Sequence, residues 1–222
     1  MIVLTESKRK RKYIPSLPHY NFFSLDPLEG SSGGIVFYYK DSLRFRISIV
    51  FESTCNSIVW VHLRHHVSAY EDLYICGVYA PNATSPRDRI TSFYKELNCT
   101  TFLFQDRPGH CILAGDFNAR IGSVSGDHAT NTNMDPFLDF INYHPPLVNF
   151  NVLKAYGHYT FVNISNGYSS ILDYLLSDLH PSKIIEHVVL GGDIGTSAQT
   201  AHKALLTTIL QKSKEEVFLK TK

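Results

Sequence analysis

The chain has 222 residues, enough for one domain of ordinary size. Hydrophobic residues make up 44%, charged residues 18%, and the formal net charge is +1. That balance excludes intrinsic disorder, which combines low hydrophobicity with high net charge. It also excludes a global basic field as the means of holding nucleic acid, while leaving a local basic patch open. No apolar run approaches the ~18 residues of a membrane helix. The opening MIVLTESKRKRK has the wrong length and order for a signal peptide. The 4 cysteines (Cys55, Cys76, Cys99, Cys111) form no CxxC pair, so the expectation is a reduced chain of the nucleus or cytoplasm, away from any membrane.

Short strand-like runs dominate the chain. In order they are Ile2–Thr5, Gly34–Tyr39, Phe45–Phe51, Ile58–Leu63, Leu73–Tyr79, Cys111–Ala114, Tyr159–Val162, Ile171–Leu176, His187–Leu190 and Ala204–Leu210. Each is rich in Val, Ile, Phe or Tyr and is bounded by turn formers. Phe45, Ile47, Ile49 and Phe51 alternate with Arg46, Ser48 and Val50, which predicts a half-buried strand with one apolar face. Two helices are marked. Ser85 is the expected cap of the first, with Pro86 at its first position and an apolar stripe of Ile90, Phe93, Tyr94 and Leu97. Asp135 is the expected cap of the second, which Pro145-Pro146 stops. Adjacent threonines favour a strand over a helix at 203–211. Many short strands with few helices predict two packed sheets with helices outside, not a doubly wound parallel sheet.

Chemistry is expected where acids and amides interrupt apolar runs. In CILAGDFNARIG (111–122), an apolar strand ends in Gly115-Asp116, and Asn118 points the same way as Asp116 on an extended chain. A carboxylate suits a hard cation and an amide holds phosphate or water, although Gly, Asp and Asn are also ordinary turn residues. Asp173 lies inside the apolar run SSILDYLLS (169–177), where alternation sets it on the face of Ile171 and Leu175. A buried carboxylate there needs a partner or a metal. Glu6 ends the run MIVLTE, as many structural strands end in an acid. His202 precedes the last apolar run, a common place for a structural histidine. The basic run at Lys8–Lys12 suits phosphate contact, nuclear import or a solvated loop.

The ordered set of LTE (4–6), GG (33–34), VYAPN (78–82), GDFNARIG (115–122), LDYLLS (172–177) and a histidine before the last strand resembles the endonuclease/exonuclease/phosphatase superfamily. It most resembles the apurinic-type endonuclease domain of LINE retrotransposons. The resemblance implies a DNase I-like, four-layer α/β sandwich of two mostly antiparallel sheets over residues 1–212, with a polar tail at 213–222. It implies Mg²⁺- or Mn²⁺-dependent phosphodiester hydrolysis on DNA by a monomer with no organic cofactor. By position, Glu6 and Asp173 match metal-binding acids, and Asp116 and Asn118 the pair that handles water and phosphate. Tyr79 and Asn82 match contacts to the scissile phosphate, His202 the closing histidine, and Thr160 the family threonine in its aromatic-Thr segment.

Two departures accompany it. Only 5 residues precede Glu6, so the family's first strand and helix, with their asparagine, are expected to be missing. The family's Ser-Asp-His reads Thr200-Ala201-His202, so the histidine is expected to lack its orienting aspartate, with Asp193 a distant substitute. The alternatives implied are an inactive remnant or binding module of the same fold, or a phosphatase or exonuclease of the same superfamily.

Overall fold

In a computed structural model of the chain, the described residues are 1–7, 11–27, 33–43, 45–67, 71–163, 166–190 and 202–210. Their strands are β1 (Ile2–Thr5), β2 (Tyr20–Leu25), β3 (Ile35–Lys40), β4 (Phe45–Glu52), β5 (Ile58–His65), β6 (Leu73–Tyr79), β7 (His110–Asp116), β8 (Val148–Asn149), β9 (Phe161–Asn163), β10 (Tyr168–Ser170), β11 (Asp173–Ser177), β12 (Ile184–Val189) and β13 (Leu205–Ile209). The helices are α1 (Arg87–Gln105), α2 (Met134–Tyr143) and the single-turn α3 (Phe150–Lys154). A six-stranded sheet runs β4-β5-β6-β7-β11-β8, and a three-stranded sheet runs β1-β3-β2. β12 with β13 and β9 with β10 form two-stranded pairs. Every pairing is antiparallel except β6 with β7, which α1 joins as one βαβ crossover.

β5 and β6 show why the large sheet is central. Along β5, Ile58 and Trp60 point toward α1 and α2, while Val59, Val61 and Leu63 point toward the small sheet. Along β6 all 7 residues are buried, with Tyr74, Cys76 and Val78 facing the helices and Leu73, Ile75 and Tyr79 the small sheet. Two apolar layers result. Each fully buried Val, Leu, Ile or Phe contributes about 1.5–3 kcal/mol, and Trp60→Ala would cost about 3–5 kcal/mol. The sheets approach so closely at Gly77 that a Cβ there would lie 2.8 Å from Ile35 and 2.9 Å from Phe37. This is the expected sandwich of two mostly antiparallel sheets. α1 and α2 cover the outer face of the large sheet, and no α-helix among the described residues covers the outer face of the small one.

Several expectations change in detail. β4 carries a bulge between Ile49 and Phe51. Phe45 and Ile47 therefore pack between the sheets, Phe51 packs on the helix side, and Ile49 is exposed, where alternation put all four on one face. A bulge inserts one residue and flips the faces beyond it. Pro86, not Ser85, is the N-cap of α1, and Asn133, not Asp135, that of α2; neither uses a side-chain capping bond. The apolar stripe of α1 is buried as expected, extended by Phe104. Ile171 lies before β11 and packs on the helix side, so it does not share the face of Leu175. The runs at 20–25, 148–149 and 168–170 also form strands. Lys8–Lys10 of the basic run, Asp193, Thr200, Ala201 and the tail at 213–222 lie outside the described residues.

Candidate active site

Three strands that pack the inter-sheet core carry the polar residues at their ends. Asp116 continues the face of Ile112 and Ala114 on β7, Asp173 that of Leu175 on β11, and Tyr79 that of Leu73 and Ile75 on β6. Asp116 is in register with Tyr79 on one side and with Asp173 on the other. The site is therefore the rim of the apolar layer between the sheets, where each strand's alternation delivers a polar side chain in place of an apolar one.

Local backbone fixes the aim of each group. A Cβ on Gly115 would lie 2.0 Å from the Val78 carbonyl oxygen, so only glycine lets β7 run this close to β6 immediately before Asp116. Asn118 then takes the left-handed conformation (φ 48°), which asparagine tolerates. Its backbone N–H donates to Asp116 Oδ1 (2.8 Å), and its Nδ2 donates to the Ala80 carbonyl (2.9 Å). The Asn118 carbonyl accepts from Nδ2 of Asn131 (2.8 Å) and of Asn133 (3.1 Å).

Asp116 and Asp173 are 2% and 9% exposed. His202 lies between them. Its Nδ1–H donates to Asp173 Oδ2 (2.9 Å), and its Nε2 is 3.9 Å from Asp116 Oδ2. Its ring meets Phe161 edge-on at 5.0 Å, and Phe161 and His202 form a β-bridge. The expectation that Ala201 leaves the imidazole without an orienting carboxylate does not hold, because Asp173 takes that part. Burial, then the neighbouring charge of Asp173, raises Asp116 well above the ordinary carboxylate range. Burial alone would lower His202, but the hydrogen bond to Asp173 and the charges of Asp173, Asp116 and Glu6 raise it to about 9. The imidazole is therefore an imidazolium at neutral pH.

Ligand atoms of Asp116, Asp173 and His202 lie within 4.8 Å of one another, the spacing of a metal site. The donor chemistry fits a divalent cation: two buried carboxylates face each other with one imidazolium between them, and a cation would cancel their repulsion. Glu6, left-handed at the end of β1 (φ 55°), adds its charge to both Asp116 and His202 but is not among the three clustered residues. The end of β1 lies against β7 here, where a Cβ on Gly115 would come 3.0 Å from Thr5 Cγ2. Tyr79 is 7% exposed beside Asp116. Asn82 is exposed on the following turn, where its carbonyl accepts from the Ser85 N–H (2.8 Å), outside the buried group.

Further residues hold this group in place. Fully buried Thr160 accepts at Oγ1 from the N–H groups of Leu172 (3.0 Å) and Asp173 (3.1 Å), and its carbonyl accepts from the Lys203 N–H (2.7 Å), tying β11 to the histidine segment. Asn151 donates to the Asp173 carbonyl (3.0 Å) and accepts from the Leu175 N–H (2.9 Å). Asn151, Asn131 and Asn133 carry no signal in spacing, since their bonds to Asp173 and Asn118 span 13 or more residues of sequence.

The fold and the sequence both have relatives. The 3′ phosphatase NExo from Neisseria, solved bound to a product DNA hairpin, superposes with a TM-score of 0.72 at 13% identity, over 93% of this chain and 87% of that one. The catalytic domain of Xenopus laevis APE2 gives 0.69 at 16% identity, over 95% and 83%. The endonuclease domain of TRAS1, a telomere-specific non-LTR retrotransposon, gives 0.65 at 16% identity, over 87% and 80%. A comparison with curated protein sequences gave no match. Among the described residues no helix is long and apolar enough to cross a membrane. The sequence profile of the Endonuclease/Exonuclease/phosphatase family matches residues 1–193, and the chain belongs to that family.

Proposed function

We propose that the chain is a DNA-nicking phosphodiesterase of the LINE retrotransposon type, dependent on Mg²⁺ or Mn²⁺ and acting as a monomer in the nucleus or cytoplasm. The observation that carries this reading is the convergence of Asp116, Asp173 and His202 at the rim of the inter-sheet core. Glu6 and Asp173 would hold the cation, which when bound neutralises charge on the substrate phosphate. Asp116, whose raised proton affinity suits a base, accepts a proton from the attacking water, and Asn118 orients that water. The His202 imidazolium, held by Asp173, faces the negative charge that develops on phosphorus-bound oxygen. Tyr79 and Asn82 bind the scissile phosphate from the β6 side. The GDFNAR sequence supports a nicking role over a phosphatase or exonuclease role, while the fold is shared by TRAS1 and NExo alike.

The test is conversion of supercoiled plasmid to open circle by the purified chain with Mg²⁺ or Mn²⁺. EDTA or Asp116→Ala should abolish it. Cleavage no greater than that of Asp116→Ala overturns the enzyme reading. Release of phosphate from 3′-phosphorylated oligonucleotides, with no plasmid nicking, would assign the site to a phosphatase instead.

A further inference from the structure

Directly beyond Asp116 and Asp173 the chain leaves the sheet, and Phe117 N–H to the Leu172 carbonyl (2.9 Å) is the last backbone bond joining the two exits. One buried carboxylate clasps both exits. Asp127 Oδ2 accepts from Arg120 Nε (3.0 Å) and from the backbone N–H of Ile171 (2.9 Å). Its Oδ1 accepts from Arg120 Nη2 and from the Ala129 N–H (3.2 Å). Arg120 is 4 residues after Asp116, and Ile171 is 2 before Asp173. The guanidinium also lies 4.6 Å from the ring centre of Tyr168 and bonds its hydroxyl.

This pair is 8% (Arg120) and 4% (Asp127) exposed. A buried ion pair is a poor source of stability, since apolar residues of similar volume often serve as well. What it supplies is direction: a planar fork on a carboxylate fixes distance and angle at once. We propose that Arg120 and Asp127 are positioning residues that set the separation of the base Asp116 from the cation ligand Asp173, and through it the geometry of the active site. This inference rests on the function proposed above. It gives the Arg of GDFNARIG a task distinct from touching DNA.

The experiment measures Mn²⁺ binding by electron paramagnetic resonance, kcat and KM for plasmid nicking, and thermal unfolding. It uses wild type, Asp127→Asn, Arg120→Lys and the apolar pair Arg120→Met with Asp127→Leu. Asp127→Asn keeps an acceptor for the Ile171 N–H but loses the charge. Arg120→Lys keeps the charge but loses the fork. Each should weaken Mn²⁺ binding and lower kcat at least about tenfold, with KM within about twofold. The apolar pair should melt within a few degrees of wild type and be equally impaired. If Asp127→Asn fails to fold, Arg120→Lys and the apolar pair decide the matter. Folded variants with wild-type Mn²⁺ affinity and kcat overturn the proposal. So does a loss of rate that merely follows the loss of melting temperature. Wild-type protein that neither binds Mn²⁺ nor nicks overturns the functional reading, and this one with it.

Discussion

β7 has a histidine–carboxylate cluster at each end, and the two differ in how their charges balance. At its start, His110 lies between Asp178 (Nδ1, 3.3 Å) and Glu71 (Nε2, 3.1 Å), and Lys183 Nζ is 2.5 Å from Glu71. Beside them His62 meets Asp72 at 3.0 Å. There each carboxylate has a histidine or lysine partner. Asp178 also accepts the Cys111 N–H (2.9 Å), so the cluster pins the start of β7. At the other end, Asp116, Asp173 and the nearby Glu6 share one imidazole, His202. Equal residue types thus make a closed salt-bridge network at one end and an unbalanced negative centre at the other. The second is poor architecture and good chemistry: its missing positive charge is what a bound cation would supply.

The largest effect that would break this contrast is on rate. Asp116→Ala should lower nicking by about a thousandfold or more. Its effect on stability should be small, because removing one of two facing buried carboxylates offsets the orphaned Asn118 N–H. Asp178→Ala should do the reverse. It should cost about 1–3 kcal/mol in urea unfolding by orphaning a buried N–H and His110, with the nicking rate within about twofold. If both variants lose rate and stability together, the two ends are not separate in kind.

Next in size is the response to metal. Mn²⁺ at about 100 times its dissociation constant should stabilise the wild type by about 2.7 kcal/mol, a shift of several degrees in thermal melts. Asp173→Ala should abolish that shift and Asp178→Ala should keep it. A shift retained in Asp173→Ala would place the cation elsewhere.

The smallest effect is on pH. At the closed end, the hydrogen bond to Asp178 raises His110 above its ordinary value; burial, which lowers it, is outweighed. Its contribution is complete below the unfolded pKa of about 6.5 and is lost as pH rises through the folded value. The stability gap between wild type and His110→Ala should therefore shrink on going from pH 6 to pH 8. His144 and His187 run the other way. Burial lowers each to about 4, so their contribution is full above about 6.5 and declines as pH falls toward 4. A gap for His110→Ala that widens with pH would contradict the ion-pair account.

The sequence makes some of this plain and hides the rest for physical reasons. Asp116 and Asn118 are legible because Gly-Asp-x-Asn after an apolar strand is a local pattern. Asp173 is legible because an acid inside an apolar run demands compensation. Their meeting with His202 is not local and is implied only by the resemblance. The Asp173 hydrogen bond to His202 spans 29 residues, and the register of Asp173 with Asp116 spans more. Arg120–Asp127 spans only 7, but nothing in the spacing says the pair is buried. β2 is hidden because Tyr20–Leu25 has only intermediate burial over most of its length, and the β4 bulge because alternation assumes an unbroken ladder.

The order of these residues along the chain has a temporal consequence. Asp116 and Asp173 precede His202, which follows β12 in the chain and joins the site through a bridge to Phe161 and a hydrogen bond to Asp173. A chain still emerging from the ribosome, or cut before residue 202, has the carboxylates without the imidazole that lies between them. In refolding, the contact of His202 with Asp173 should therefore form after the burial of Trp60.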